Sequence, residues 1–393
     1  MSARWIVVVL GVLAAAPASA RTWRVEKDGS GDFTVIYEAI DAAAAGDTIR
    51  IGAGRFEEYR LEPDYVSETW CCAHITTPGL TLLGSGPEAT VIGLDHFDPH
   101  YPIFVIGISC NNDDLDVKDL AVNGLHRGVH FEGPNLSAEN CAFSDVEIGV
   151  STWSLESSTF DRCRFLGAQQ LGLAAFRANN ISITECEFAD GLRYAVSGVG
   201  GMGWVVRDTN VHDYEGGFQF EQQAHGIVER CHVRVTGANP PAIGLLTGSV
   251  FTLQDNVFDG EGNGWAGFFA TNGTVTTVTD CIFLGGSYTS IEVAYSPLDF
   301  HGNHIINGGG MSVRALWGRG GLQQPYDLDL TGNYWGTTDP AQIAAWIDDY
   351  RDHHPMDDAH YVIVRYEPFA GGPMPVESYT WSEVKALFRT EGR

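Results

Sequence analysis

Ten times along the chain a short phrase returns: a Cys or Asn, once Leu and once Thr, then any residue, then a large apolar one. The first members are Leu120, Cys141, Cys163, Cys186, Thr209, Cys231, Asn256, Cys281, Asn303 and Asn333. Two places on stand Val122, Phe143, Phe165, Phe188, Val211, Val233, Phe258, Phe283, Ile305 and Trp335. The intervals are 21, 22, 23, 23, 22, 25, 25, 22 and 30 residues. A unit that keeps its length and pattern but not its sequence is a solenoid repeat. Residues two apart point to one side of a strand, so each phrase is expected on a strand with both members turned inward.

Most units carry a second apolar stretch led by Gly, such as Gly128-Val129-His130-Phe131, Gly149-Val150-Ser151-Thr152 and Gly217-Phe218-Gln219-Phe220. Two or three short strands with Gly, Asn and Asp turns fill a unit of this length and leave no room for a crossover helix. Equivalent strands of successive units align only if the chain winds in one direction, which predicts an all-β parallel β-helix. Stacked Asn side chains can then hydrogen-bond from rung to rung. The Cys residues lack the close C-x-x-C pairs of a zinc site and are expected to be buried thiols. A bridge from Cys71 or Cys72 to Cys110 is an open alternative in an exported chain.

Both ends carry expected caps against strand-edge association. Phe33 to Ala45 has apolar residues at helical spacing and is followed by the strand Thr48–Ile51. Asp339-Pro340 opens a second helix, Ala341 to Arg351, followed by a strand from Tyr361 to Tyr366. Residues 1–20 read as an export signal, with Arg4, an apolar run and Ala18-Ser19-Ala20 as the cleavage site. The β-helix domain then spans 21–370, and 371–393 is a C-terminal tail. No later run approaches the roughly twenty apolar residues of a membrane span, so the expected setting is secreted, extracellular or periplasmic.

Without Arg4 the chain has 22 basic and 50 acidic residues, a formal charge of −28. Nucleic acid is thereby a poor partner, and a polyuronate is repelled unless a basic cleft or a bridging cation intervenes.

The segment "DGSGDFTVIYEAIDAAAAGDTIRIGAGRFEE", residues 28–58, resembles the opening of bacterial exported right-handed β-helix proteins of the pectin lyase-like superfamily, and is also similar to the start of pectin methylesterases. "GNYWGTTDPAQIAAWIDDY", residues 332–350, resembles their closing coil and cap helix. The resemblance implies a single-stranded right-handed parallel β-helix of about 10–12 coils with an N-terminal cap helix and a C-terminal cap helix plus strand. It leaves activity open, because the superfamily holds lyases, hydrolases, esterases, epimerases and members without known chemistry. The esterase phrases Q-D-T and D-F-I-F-G are absent, as is the R-I-K of polygalacturonases. Asp98-Pro99-His100 matches the D-P-H core of mannuronan epimerases, but Tyr101 replaces the following acid, and Asp-Pro is equally a turn.

Candidate chemistry falls in two places. "CNNDDLDVKD", residues 110–119, offers Asp113, Asp114 and Asp116 as hard oxygen ligands for Ca2+, or as a solvated acidic turn; "DGEGNG", residues 259–264, is a weaker case. Alignment of the Gly-led strands brings together outward His130, Glu132, Ser151, Trp153, Phe176, Gln219, Gln223, Glu292 and Tyr295, a mixture of rings, amides and carboxylates suited to a polysaccharide. Within it, Glu221 with His225 or Arg177 is a candidate acid–base pair. Three readings follow: an exported β-helix protein that binds and, in a stronger form, processes a polysaccharide; a non-catalytic structural or surface-interaction protein; and a divergent polysaccharide lyase or glycoside hydrolase.

Overall fold

Each unit folds as three short parallel strands, and the units stack into three sheets of 12, 11 and 13 strands among the described residues. A computed structural model describes residues 20–62, 69–100, 103–111, 114–153, 156–237, 240–260, 266–271, 273–285, 288–294, 296, 298–307, 309–316, 326–352 and 362–373. The sheets are called faces A, B and C, in the order of 12, 11 and 13 strands. One coil runs through Arg127–Phe131 on face C, Asn135–Glu139 on face A and Ala142–Ser144 on face B, then enters Ile148–Trp153 on face C. Among the described residues the pairings between coils are parallel, with one register shift between Val211 and Tyr214; only Arg60–Glu62, against Thr69–Ile75, runs antiparallel. This is the expected parallel β-helix.

The repeated phrase is aligned by the register itself. Val122 pairs with Phe143, Phe143 with Phe165, Phe165 with Phe188, and the row continues to Ile305. All are fully buried, and their rings stack, Phe165 on Phe188 at 4.5 Å and 4° between planes. The first member, however, stands at the corner before the strand. Two residues separate each face A strand from the next face B strand, from Lys118 and Ala121 to His301 and His304. The first of the two has positive φ: Asp119, Asn140, Arg162, Glu185, Asp208, Arg230, Asp255 and Asp280, then Gly302. The second is the column residue.

That left-handed residue turns the chain but swings backbone groups out of the ladder, and column side chains take them up. Cys141 donates to the carbonyls of Val117 and Glu139 at 3.3 Å each, and Cys163 and Cys186 repeat the pattern. Asn303 donates to Val278 and His301, while its Oδ1 accepts the Cys281 amide at 2.9 Å. Asn333 accepts from both the amide and the side chain of Asn303, at 2.8 and 3.1 Å, which is the expected rung-to-rung contact. The Gly leading the face C strands has a packing reason: a Cβ on Gly128 meets the Gly149 carbonyl oxygen at 2.4 Å and the Phe143 ring at 3.0 Å.

All eight cysteines are buried free thiols. The alternative of a bridge to Cys110 fails on register, because Cys110 lies opposite Ile75. Cys72 and Cys71 are three and four residues upstream, roughly 10 Å or more along the strand, beyond the reach of a disulfide.

The caps are shorter than their sequence patterns. The first helix spans Ile36–Ala42, because Phe33 bridges to Val25 as extended chain and Ala43 is extended as well. Asp47 fastens it, accepting from the amides of Arg21 and Ala44 and from the Trp23 indole. The second helix, Pro340–Ala345, is capped by the Asp339 side chain and gives way to the strand Ile347–Asp348 and a turn of 3-10 helix, Tyr350–Asp352. Val362–Arg365 supplies the expected closing strand. Of the export signal expected in residues 1–20, all but Ala20 lies outside the described residues, as does the expected amphipathic stretch 381–388, and no described helix is long and apolar enough to cross a membrane.

Two outcomes test the corner. Asn303→Ala leaves the Cys281 amide and Val278 carbonyl without partners and is expected to cost about 3 kcal/mol in urea unfolding, whereas Glu185→Gly, relieving a left-handed non-glycine residue, gains about 1 kcal/mol. Burial pushes Cys72, Cys231 and Cys281 up to about 12. Iodoacetamide at pH 8 is expected to leave all eight thiols intact in the folded chain and to alkylate all eight in guanidinium; labelling before unfolding contradicts this account.

Candidate functional site

Strand alternation sends two rows of side chains out of face C, and the register fixes both. The inner row runs His74, Ser109, His130, Ser151, Ala174, Ser197, Gln219, Gly244, Phe269, Glu292, Arg314. The outer row, two residues further along each strand, holds Trp153, Phe176, Val199 and Glu221 in register, with Glu132 on the preceding coil. The sequence alignment of His130, Ser151, Ala174 and Gln219 is therefore correct. It skipped the coil Tyr194–Val199, whose lead position is Ala195 instead of Gly.

The expected single open groove is corrected by burial. His130, Ser151, Ala174 and Glu292 are all nearly covered although they point outward. Glu292 is 3% exposed and lies 3.9 Å from Arg314, whose Nε is 3.4 Å from Asp348, so it serves a buried ionic row and not a sugar surface. Gln219 is half-buried and Gln223 lies past the end of its strand in a left-handed turn. Tyr295 lies outside the described residues. What remains open is the outer row. Trp153 is 48% exposed and stacks on Phe176, with ring centroids 4.6 Å apart and planes at 20°.

The candidate acid–base group is not assembled. Glu221 and Phe176 are two coils apart, roughly 10 Å, and Arg177 turns away after Phe176 with positive φ. His225 has already entered face A, paired with Val250. Among the described residues no side-chain hydrogen bond or ion pair links the three. Glu132 and Glu221 are four coils apart, roughly 19 Å, too far for a glycosidase pair of carboxylates.

The metal candidates also disperse. Asp114 sits in a left-handed turn and accepts from Asn135 Nδ2 at 2.5 Å, Asp116 projects from the face A strand Leu115–Lys118, and Asp113 lies outside the described residues. No group of three or more His, Cys, Asp or Glu side chains converges among the described residues. Asp114 and Asp116 instead line a polar surface groove of about 380 Å3 with Asn135, Ser137, Ser157 and Thr159. Only Asp259 and Gly260 of the weaker acidic stretch are described. Asp98-Pro99-His100 forms the turn that its sequence allows, the His100 amide donating to Asp98 Oδ1 at 2.8 Å.

The denser chemistry lies beside the aromatic pair. His130 Nδ1 is 2.9 Å from Ser151 Oγ and 3.0 Å from Arg127 Nη1, and its Nε2 is 3.1 Å from Glu132 Oε1. Burial, then the Arg127 charge, lowers the His130 pKa below the ordinary imidazole value, against a smaller upward pull from Glu132. Sequence alignment brought His130, Glu132, Ser151 and Trp153 onto one face but missed Arg127, because strict alternation groups it with the inward Val129 of the same strand. On face B a second histidine behaves oppositely: His212, bonded to Glu187 at 3.0 Å and Asp213 at 3.2 Å, is raised, chiefly by Glu187.

Residues 127–265, about a third of the chain, match a family model described as the right handed beta helix region. Among solved structures the Agl-KA catalytic domain aligns with a TM-score of 0.51 at 13% identity, over 90% of this chain and 68% of that one. The mannuronan C-5 epimerase AlgE6 A-module of Azotobacter vinelandii aligns at 0.46 and 16% identity, over 76% and 81%. The catalytic unit of a GH87 alpha-1,3-glucanase from Streptomyces thermodiastaticus strain HF3-3 aligns at 0.45 and 15%, over 94% and 72%. No curated protein matches the chain. The family model and the strand topology define the class, a right-handed parallel β-helix protein, and at 13% identity the Agl-KA likeness speaks to fold alone.

The lowered His130 pKa has a signed consequence. Between the folded and unfolded values the unfolded chain binds more protons at this position, so its contribution to stability falls as pH drops below about 6.5. The difference in unfolding free energy between the native chain and His130→Gln is expected to shrink from pH 7.5 to pH 5; a difference that grows contradicts the assignment.

Proposed function

We propose that the chain is an exported protein that binds a polysaccharide along the outer row of face C. The observation that carries this reading is the stacked Trp153–Phe176 pair, its indole exposed and its phenyl ring half-buried. Two rings stacked in register present a continuous apolar strip on an otherwise polar surface. Sugar rings offer matching apolar faces, while their hydroxyls can donate to the carboxylates of Glu132 and Glu221 at either end of the row. Ordinary alternation places polar residues outward, but it does not place a large indole in solvent beside a parallel phenyl ring. The formal charge of −27 favours a neutral glycan over a polyuronate, since no described cation cluster offsets repulsion. The export signal expected in residues 1–20 suits an encounter with such a polymer outside the cytoplasm.

On an array of neutral and acidic polysaccharides the full chain is expected to bind neutral members. Trp153→Ala with Glu221→Ala is expected to weaken binding about tenfold or more, about 1.4 kcal/mol. Binding to no glycan, or equal binding by the double variant with its melting temperature unchanged, removes the sugar reading.

A further inference from the structure

We propose that Ser151, His130 and Glu132 form a serine acyl-transfer centre that removes ester-linked acyl groups from a sugar chain lying on Trp153 and Phe176. The substrate class rests on the sugar-binding reading above; the nucleophile does not. Strand register builds the arrangement: Ser151 is directly opposite His130 on adjacent coils, and Glu132 follows His130 by two places. The imidazole therefore touches a hydroxyl with one ring nitrogen, at 2.9 Å, and a carboxylate with the other, at 3.1 Å. That is the order nucleophile, base, orienting acid which activates a serine.

The tautomer follows from Arg127. A guanidinium can only donate, so Nδ1, 3.0 Å from Arg127 Nη1, must accept, and the ring proton stands on Nε2, where it is donated to Glu132. The nitrogen facing Ser151 Oγ thus carries a lone pair, shared between Arg127 and the serine hydroxyl, and it takes the serine proton as the Arg127 contact gives way. Burial and the Arg127 charge keep the ring neutral at pH 7. The three groups descend from the rim into the sheet, Glu132 half in solvent at 51%, His130 4% and Ser151 3% exposed, and Ser151 shares its strand with Trp153. A polymer held on the indole brings its ester groups to the mouth of this centre.

The step balances with water as the only co-reactant. Ser151 Oγ bonds to the ester carbonyl carbon as its proton passes to His130 Nδ1, and the carbonyl electron pair moves onto oxygen. Protonated Nδ1 no longer accepts from Arg127, and the guanidinium, 3.0 Å from that nitrogen, supplies positive charge beside the new oxyanion. Collapse breaks the bond to the sugar oxygen, which takes the proton from Nδ1. Water then attacks the acyl-serine, giving its proton to His130, and collapse releases the carboxylic acid and restores Ser151. Glu132 is a positioning residue: it holds the ring and stabilises the imidazolium.

The full chain is incubated with a biotinylated fluorophosphonate, with p-nitrophenyl acetate and with acetylated xylan. The phosphonate is expected on the Ser151 peptide by mass spectrometry, read on the native chain and so independent of any variant's folding. Ester hydrolysis is expected to fall about 10^3-fold or more in Ser151→Ala and His130→Gln. Glu132→Gln lowers kcat and moves the acid limb of kcat/KM to lower pH, which a merely structural carboxylate does not do. Glycan binding through Trp153 without phosphonate on Ser151, or undiminished hydrolysis by Ser151→Ala, overturns acyl transfer and leaves the sugar reading standing. Labelled Ser151 and p-nitrophenyl acetate hydrolysis without glycan binding or acetate release from xylan overturns the sugar ester and leaves the nucleophile.

Discussion

Backbone polar groups at one corner of every coil set the terms for the whole rod. A left-handed residue makes the turn from face A to face B in a single step, and the groups it removes from the ladder are buried. An unpaired buried amide or carbonyl costs of order 1–3 kcal/mol, and the corner recurs in coil after coil. The column side chains answer this demand one coil at a time. Thr209 accepts from the Cys186 amide, Asn256 from Cys231, Asn303 from Cys281 and Asn333 from Asn303. Short side chains able to donate and accept in a dry wall fit there, which is why Cys, Asn and Thr alternate in one position while its apolar neighbour varies freely in size.

The fold was legible because that demand repeats. The phrase intervals aligned Phe143, Phe165 and Phe188 correctly, and the outward sets on face C followed from them. The corner conformation was not legible: Arg162, Glu185 and Arg230 carry no turn signal of their own, and bonds between coils hold them left-handed, their amides donating to the carbonyls of Thr184, Arg207 and Gln254. The site was half legible. His130, Glu132, Ser151 and Trp153 were assembled on one face, but alternation says which way a side chain points and not what lies over it. Hence Glu292 was assigned to an open surface although it sits in a buried row with Arg314 and Asp348. Glu221, His225 and Arg177 were close in sequence pattern and separate in space, since a turn carries His225 to another face.

Charge tells a related story. The few basic residues are spent largely on cross-coil contacts, Arg230 on Asp208, Arg60 on Asp41 and Glu62, Arg164 on Glu88. Exposed pairs of this kind add little stability, about 0–1 kcal/mol each, and they leave the surface strongly negative. Against that background the Arg127 guanidinium lies 3.0 Å from an imidazole nitrogen of His130 and over the Phe104 ring, on the face that also carries Trp153.

The two-residue corner also makes the molecule a ruler. Because its length is constant from Lys118 and Ala121 to His301 and His304, the 25-residue units place their extra chain at the other two corners. Coils can therefore be gained or lost only as whole steps of roughly 4.8 Å, and whatever lies along face C is read out in those steps. A ligand with its own repeat would slide past such a surface through a series of equivalent settings, except where Trp153 and Phe176 give it a fixed zero.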